Sequence, residues 1–313
     1  MYNTEQKERY ISIQEENGIK GFRNNITKVF QHTETLENEL NKDCSQFTFS
    51  EIKDMFSSMF TASWTGLMNY NSLLNNYTYW CMQENLIPDN QNHYAEIDRM
   101  DLYNCLNFAA RDKRISSKNE LLKKIHDIPN VCDQFLALAI FEGIGEQSDF
   151  AADFYQLTIA NFKGNKVKLT NRTITVSDRL IELAKESANE FNKYSIDGEK
   201  LARGFRQTDA SIVKDSANSI NSDLAHNSRK IATRLINLKK TFGTKFSYGA
   251  LRDSGKIHFL NQLAIADKSD DIYATYLNHK NEYDLRFGVP QSDQLKTFIF
   301  KYSKFFNTEK TLA

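Results

Sequence analysis

A single change of hydrophobic period constrains this chain most. Along most of its 313 residues the apolar side chains recur every three or four positions, the spacing of an amphipathic helix. Between 157 and 177 the runs become short and β-branched: LTIANF, KVKL and RTITVS, separated by KGN and TN. They predict one small three-stranded antiparallel sheet with tight turns. Only three prolines occur (Pro88, Pro129 and Pro290), and with 12 glycines this favours helices over a turn-rich β fold. The expected class is mainly α (α+β), with a small sheet inside a helical chain.

The length suggests two domains. Residues 4–42 read as helices with a break near Asn17-Gly18, through Ile19, Phe22, Ile26, Val29 and Phe30. Residues 50–60 repeat the pattern through Ile52, Met55, Phe56, Met59 and Phe60, with Ser50 as the expected N-cap. Leu67, Tyr70, Leu73, Leu74, Tyr77 and Trp80 share one helical face, and Pro88 closes that segment. A first helical domain is expected over 1–97 and a linker over 98–114. The second domain, 115–313, opens with capping-box spacing at Ser117 and Glu120. VCDQFLALAIFEG then has the composition of a central buried helix, with Gly143 as its C-cap. After the sheet come helices over 178–192, 208–240, 247–265 and 293–306. The third-to-last apolar pattern runs Ile220, Leu224, Ile231, Leu235 and Leu238. Its other face carries Asn218, Asn221, His226, Asn227, Arg229, Lys230, Arg234, Lys239 and Lys240.

Cys44, Cys81, Cys105 and Cys132 are far apart and lack metal-ligand spacing, so free thiols in a reducing cytoplasm are expected, with no metal and no cofactor. The polar start MYNTEQKERY and the absence of about 18 continuous apolar residues predict a soluble cytoplasmic protein. Net charge is zero, but 200–256 leans basic. Charge alone leaves that stretch either a phosphate-binding face or a solvated helix surface.

The order of segments resembles the tyrosine recombinase (phage integrase) family over essentially the whole chain. Thr65, Tyr70, Leu74 and Trp80 fit its core-binding domain. FEGIGEQSDFAADFYQL and SYGALRDSGKIHFL fit its two arginine-bearing segments. The resemblance implies a two-domain clamp on duplex DNA. The chemistry of that family needs a tyrosine nucleophile, two arginines on the phosphate oxygens, and histidine and lysine for proton transfer. Here Gly145 stands at the first arginine, Gly249 at the first histidine, Asp253 after the matching Arg252, and Arg172 at the sheet lysine. His279 follows Arg252 at long spacing. The nucleophile position falls near Gly288, and neither Tyr283 nor Tyr302 fits it.

MYNTEQKERYI, FEGIGEQSDF and SYGALRDSGKIHFL more narrowly resemble the phage lytic-cycle repressors, the master repressors of SPβ-type prophages. That resemblance implies operator binding, silencing of lytic genes and maintenance of lysogeny without recombination, in the bacterial cytoplasm with the nucleoid. It also implies homo-oligomers on DNA and a phage-encoded regulator as partner. The alternative is an active recombinase with a divergent centre; a helical interaction protein with no DNA role is the third reading. The expected DNA-binding residues are Arg252, Lys256, Arg229, Lys230, Arg234, Asn227, Lys239, Lys240, Lys245, Arg206, Arg203, Arg172 and Lys166. No catalytic residue is assigned. The hairpin cations, Lys163 and Lys168 included, either reach DNA or protect strand edges. Gly143 and Gly145 are expected to turn the chain tightly, so that Gly143→Glu or Gly145→Glu destabilises it.

Overall fold

The computed structural model describes all residues except 20, 60, 62, 146–151, 156, 196, 208–209, 217–222, 291–293 and 307–313, and the side chains of 110 and 111. Phe60, Asn218, Ile220 and Asn221, the start of the 208–240 block and part of FEGIGEQSDF therefore lie outside the described residues. The chain is mainly helical with one small sheet, and it divides into two units, Met1–Lys113 and Arg114–Ala313.

In the first unit, α1 (Thr4–Glu16) and α2 (Phe22–Leu40) are separated by the turn at Asn17. Phe22, Ile26, Val29 and Phe30 line the buried face of α2, whereas Ile19 precedes the helix and is exposed. The N-cap of α3 (Phe49–Ser58) is Thr48 rather than Ser50. Thr48 and Glu51 exchange both hydrogen bonds of a capping box, which needs a spacing of three. α4 (Trp64–Gln83) packs Leu67, Leu74, Tyr77 and Trp80 inward. The polar connector folds back here, since Tyr94 is buried and its hydroxyl donates to the Cys44 carbonyl at 3.0 Å.

The stretch expected as a linker carries α5 (Arg99–Asn104) and α6 (Phe108–Asp112). An Asp98–Asp101 capping box starts α5, and Leu102, Cys105 and Leu106 sit at helical spacing in the first core. The boundary between units falls at the C-terminal end of that stretch, at Lys113–Arg114.

The second unit is built around α8 (Val131–Phe141), in which Phe135 to Phe141 are all buried. α7 (Lys118–Ile125) precedes it, capped by Ser117. β1 (Phe162–Lys163), β2 (Lys166–Lys168) and β3 (Thr173–Thr175) form the antiparallel sheet in that order. Val167 pairs with Ile174 on the inward face, so Lys166 and Lys168 point outward. α9 (Asp178–Asn189) covers α8. The buried Lys214 ends α9, donating from Nζ to the carbonyls of Ser187 and Ala188. α10 (Leu224–Phe242) contributes Ile231, Leu235 and Leu238 to the core.

α11 (Tyr248–Asp267) packs closely on α8. A Cβ on Gly255 would lie 1.8 Å from the Phe141 carbonyl oxygen, so only glycine permits this approach. α12 (Ile272–Asn278), α13 (Lys280–Phe287) and α14 (Gln294–Lys301) close a separate aromatic cluster with Phe259 and Leu260. No described helix is long and apolar enough to cross a membrane. All four cysteines are buried thiols.

Candidate nucleic-acid interface

Two features of the second unit gather the candidate residues. The first is the turn after α8. Gly143 and Gly145 have φ of 95° and 98°, which side-chain-bearing residues rarely adopt. Asp153 accepts the Gly145 N–H at 2.7 Å and meets both arms of Arg172, at 3.0 and 2.6 Å. Arg172 also donates to the Gly143 carbonyl at 3.1 Å. The pair is inside the protein, with side-chain exposures of 6% and 0%. Arg172 was expected to face DNA; instead it faces inward, because a bidentate guanidinium can satisfy a fully buried carboxylate.

Tyr248 donates to the Gly145 carbonyl at 2.7 Å, and the Arg252 guanidinium lies over its ring at 5.7 Å. Arg252 keeps 36% of its side chain exposed, 3.9 Å from Asp253. Asp253 in turn accepts the Tyr302 hydroxyl at 2.7 Å. Gly145, Arg172, Tyr248, Arg252, Asp253 and Tyr302 are thus linked in one region. A Cβ on Gly249 would lie 3.8 Å from the guanidinium of Arg114, a neighbour that sequence reasoning missed because it sits at the edge of the expected linker.

Both candidate tyrosines are buried. Tyr283 is buried among Phe259, Tyr276 and Phe287, and Tyr302 is held by Asp253. His279 pairs with Asp267 at 2.9 Å, fifteen residues along α11 from Arg252, or about 22 Å of helix. From α13 it is Arg286 that reaches the turn, donating to the Glu142 and Thr175 carbonyls.

The second feature is a cleft of about 760 Å³ along α10. Arg229, Thr233, Asn237 and Lys240 line it at positions i, i+4, i+8 and i+11, one face of the helix. Lys193, Tyr194 and Lys214 form part of the opposite wall. Arg229, Lys239 and Lys240 are exposed.

Others of the row are committed to the fold. Arg234 donates to Asp133 at 2.6 Å and to the Lys214 carbonyl at 2.9 Å. Burial opposes its charge, but Asp133 and Cys132 raise its pKa above the ordinary arginine range. Lys230 donates to the Val213 carbonyl at 2.7 Å and lies 3.5 Å from Asp215, which also meets His226 at 3.1 Å. Asn227, also expected on DNA, is buried on the inner face of α10. These side chains were expected on DNA; α10 turns Arg234 and Asn227 toward the body of the unit because they fall beside the Ile231–Leu235–Leu238 stripe.

The remaining candidates are scattered. Lys245 pairs with Glu120, and Lys256 lies 5.8 Å over the Phe287 ring. Arg206 is half-buried with its backbone N–H on the Asp215 carbonyl, and Arg203 is exposed. Lys163 and Lys166 are exposed on the hairpin.

The chain matches the family model described as MrpR, N-terminal core-binding domain, over residues 1–83. It matches that described as MrpR, C-terminal catalytic domain, over 115–304. It is also similar to the SPbeta prophage-derived uncharacterized protein YopR of Bacillus subtilis (strain 168). The two are 24% identical over 296 residues, 90% of this chain and 84% of that protein.

Proposed function

Since the chain belongs to the MrpR family through both of its units, we propose that it is a double-stranded-DNA-binding repressor that silences phage lytic genes and maintains lysogeny. It acts through a recombinase-like fold without recombinase chemistry. The observation that carries this reading is the α10 row, in which exposed Arg229 and Lys240 flank Thr233 and Asn237 along one cleft wall. Cations at both ends suit phosphates, and the amide and hydroxyl between them suit further polar contacts to the duplex. Arg252, half-exposed above Tyr248, supplies a second phosphate contact. Homo-oligomers on the operator and a phage-encoded regulator belong to the same reading.

The burial of the tyrosines supports a loss of catalysis. A covalent step needs a hydroxyl that can reach phosphorus, and Tyr283 and Tyr302 are both buried within the fold. Gel shifts against duplexes tiled across prophage promoters test the proposal. A sequence-specific, salt-sensitive complex with no covalent adduct on a nicked suicide substrate is expected. An adduct lost in Tyr283→Phe or Tyr302→Phe would make the chain a recombinase. No complex with any duplex at low salt would remove the DNA role.

A further inference from the structure

A cavity of about 370 Å³ lies among the C-terminal end of α8, β3, α11 and α13, and the DNA reading does not use it. Its wall is electrostatically incomplete. Arg172 and Arg234, the other arginines held inside this unit, each face an aspartate. Arg286 does not. It stacks over the Phe259 ring at 4.6 Å and donates only to the carbonyls of Glu142 and Thr175, with no ion pair among the described residues. Burial lowers its pKa, and the more distant charges of Glu142 and Glu282 offset this only in part.

His258 lines the same space, and its Nε2 is buried with no hydrogen-bond partner among the described residues. Lys118 completes the wall, 3.1 Å from Glu142. Glu142 is already engaged, because its two oxygens also accept the Ser177 N–H and hydroxyl. The other acid on the wall, Glu282, is exposed. Two cations and an imidazole therefore line the cavity with two carboxylates, one saturated by its hydrogen bonds and the other exposed to solvent.

We propose that this cavity binds a small organic anion bearing a phosphate or carboxylate, held by Lys118, His258 and Arg286. The anion supplies Arg286 with a direct ion pair and His258 with an acceptor. The volume falls within the range of small-ligand pockets. Arg286 also braces the turn before Gly145: a Cβ on Gly143 would lie 2.5 Å from the Arg286 Cγ. The occupant thus touches the residue that sets this turn. The site stands independently of the DNA reading.

The test uses the full chain, purified in chloride, with inorganic phosphate and citrate as probes at constant ionic strength. Calorimetry is expected to show saturable binding of at least one probe. Lys118→Met and His258→Gln are expected to weaken it about tenfold, while the double variant Arg229→Ala/Lys240→Ala leaves it unchanged. The His258 imidazole, followed by NMR, should show a higher pKa with the probe bound, since the anion opposes the charges of Lys118 and Arg286. Three results would overturn the proposal: no saturable binding, binding unchanged in both cavity variants, or binding lost in the α10 double variant. Should the cavity variants fail to fold, an unmoved His258 titration in the wild type overturns it alone. Gel shifts in chloride separate the two readings, because DNA binding there stands or falls without the anion.

Discussion

Lys7 and Glu37 are both fully buried in the first unit, and Glu37 also accepts the Thr33 hydroxyl and the Cys44 N–H. Nothing in the sequence marks Lys7 as different from the exposed lysines around it, because sequence charge carries no direction. The inward placement of Arg172, Arg234 and Asn227 was illegible for the same reason. Removing one member of such a pair strands the other, so Lys7→Met is expected to cost about 3–5 kcal/mol, read as the loss of midpoint in urea unfolding. Gly143 was legible as a turn residue, although its neighbour was not. With φ of 95° and Arg286 behind it, Gly143→Ala is expected to cost about 2 kcal/mol or more. An unchanged melting temperature would contradict that. His258 gives a pH signature. Burial, then Lys118, depress its pKa from 6.5 to about 4. The folded state resists the proton, so this contribution is full above about pH 6.5 and is lost as pH falls toward 4. Its size is bounded by roughly 3 kcal/mol. In chloride the wild type should therefore lose stability relative to His258→Gln as the pH drops through that window.

Among elements, the long and strongly patterned ones were legible. The apolar run of α8 and the switch of period at the sheet each have one reading under the rules of burial, and both formed where expected. The short ones were not: α5 and α6 span six and five residues, too few to show a period, and they are helical because the first core accepts Leu102, Cys105 and Leu106. α10 lies between these cases. Its apolar stripe was readable, but its polar face divides into an exposed row and an inward row that only the packing of Asp133 and Asp215 distinguishes. The two rows predict different phenotypes. Arg229→Ala and Lys240→Ala should each leave the melting temperature unchanged and reduce the log–log salt slope of DNA binding by about 0.9 per lost phosphate contact. Arg234→Ala should instead lower stability, by about 3–5 kcal/mol if Asp133 is left without its partner, and a folded, stable Arg234→Ala protein with a reduced slope would invert the assignment.

At the scale of the whole molecule, neutrality conceals a division of charge. Residues 1–113 hold sixteen acidic against ten basic side chains, and 114–313 hold twenty-four against thirty, so the two units carry −6 and +6. The sequence showed the trend but not that the expected linker belongs to the acidic side, since the break at Lys113–Arg114 falls at the linker's C-terminal end. A polyanion such as DNA is drawn to the second unit and repelled by the first. Each unit has its own buried core, so each is expected to fold when the chain is divided at that break. The fragment 114–313 should then bind duplex DNA with nearly the salt slope of the full chain, because the phosphate contacts proposed here all lie within it. The fragment 1–113 should give no complex by electrostatics alone, and adding it should change affinity with little change of slope. Gel shifts of both fragments across a salt series decide the point. A slope that falls by half in 114–313 would place phosphate contacts on the acidic unit and require a local basic surface there that its net charge hides.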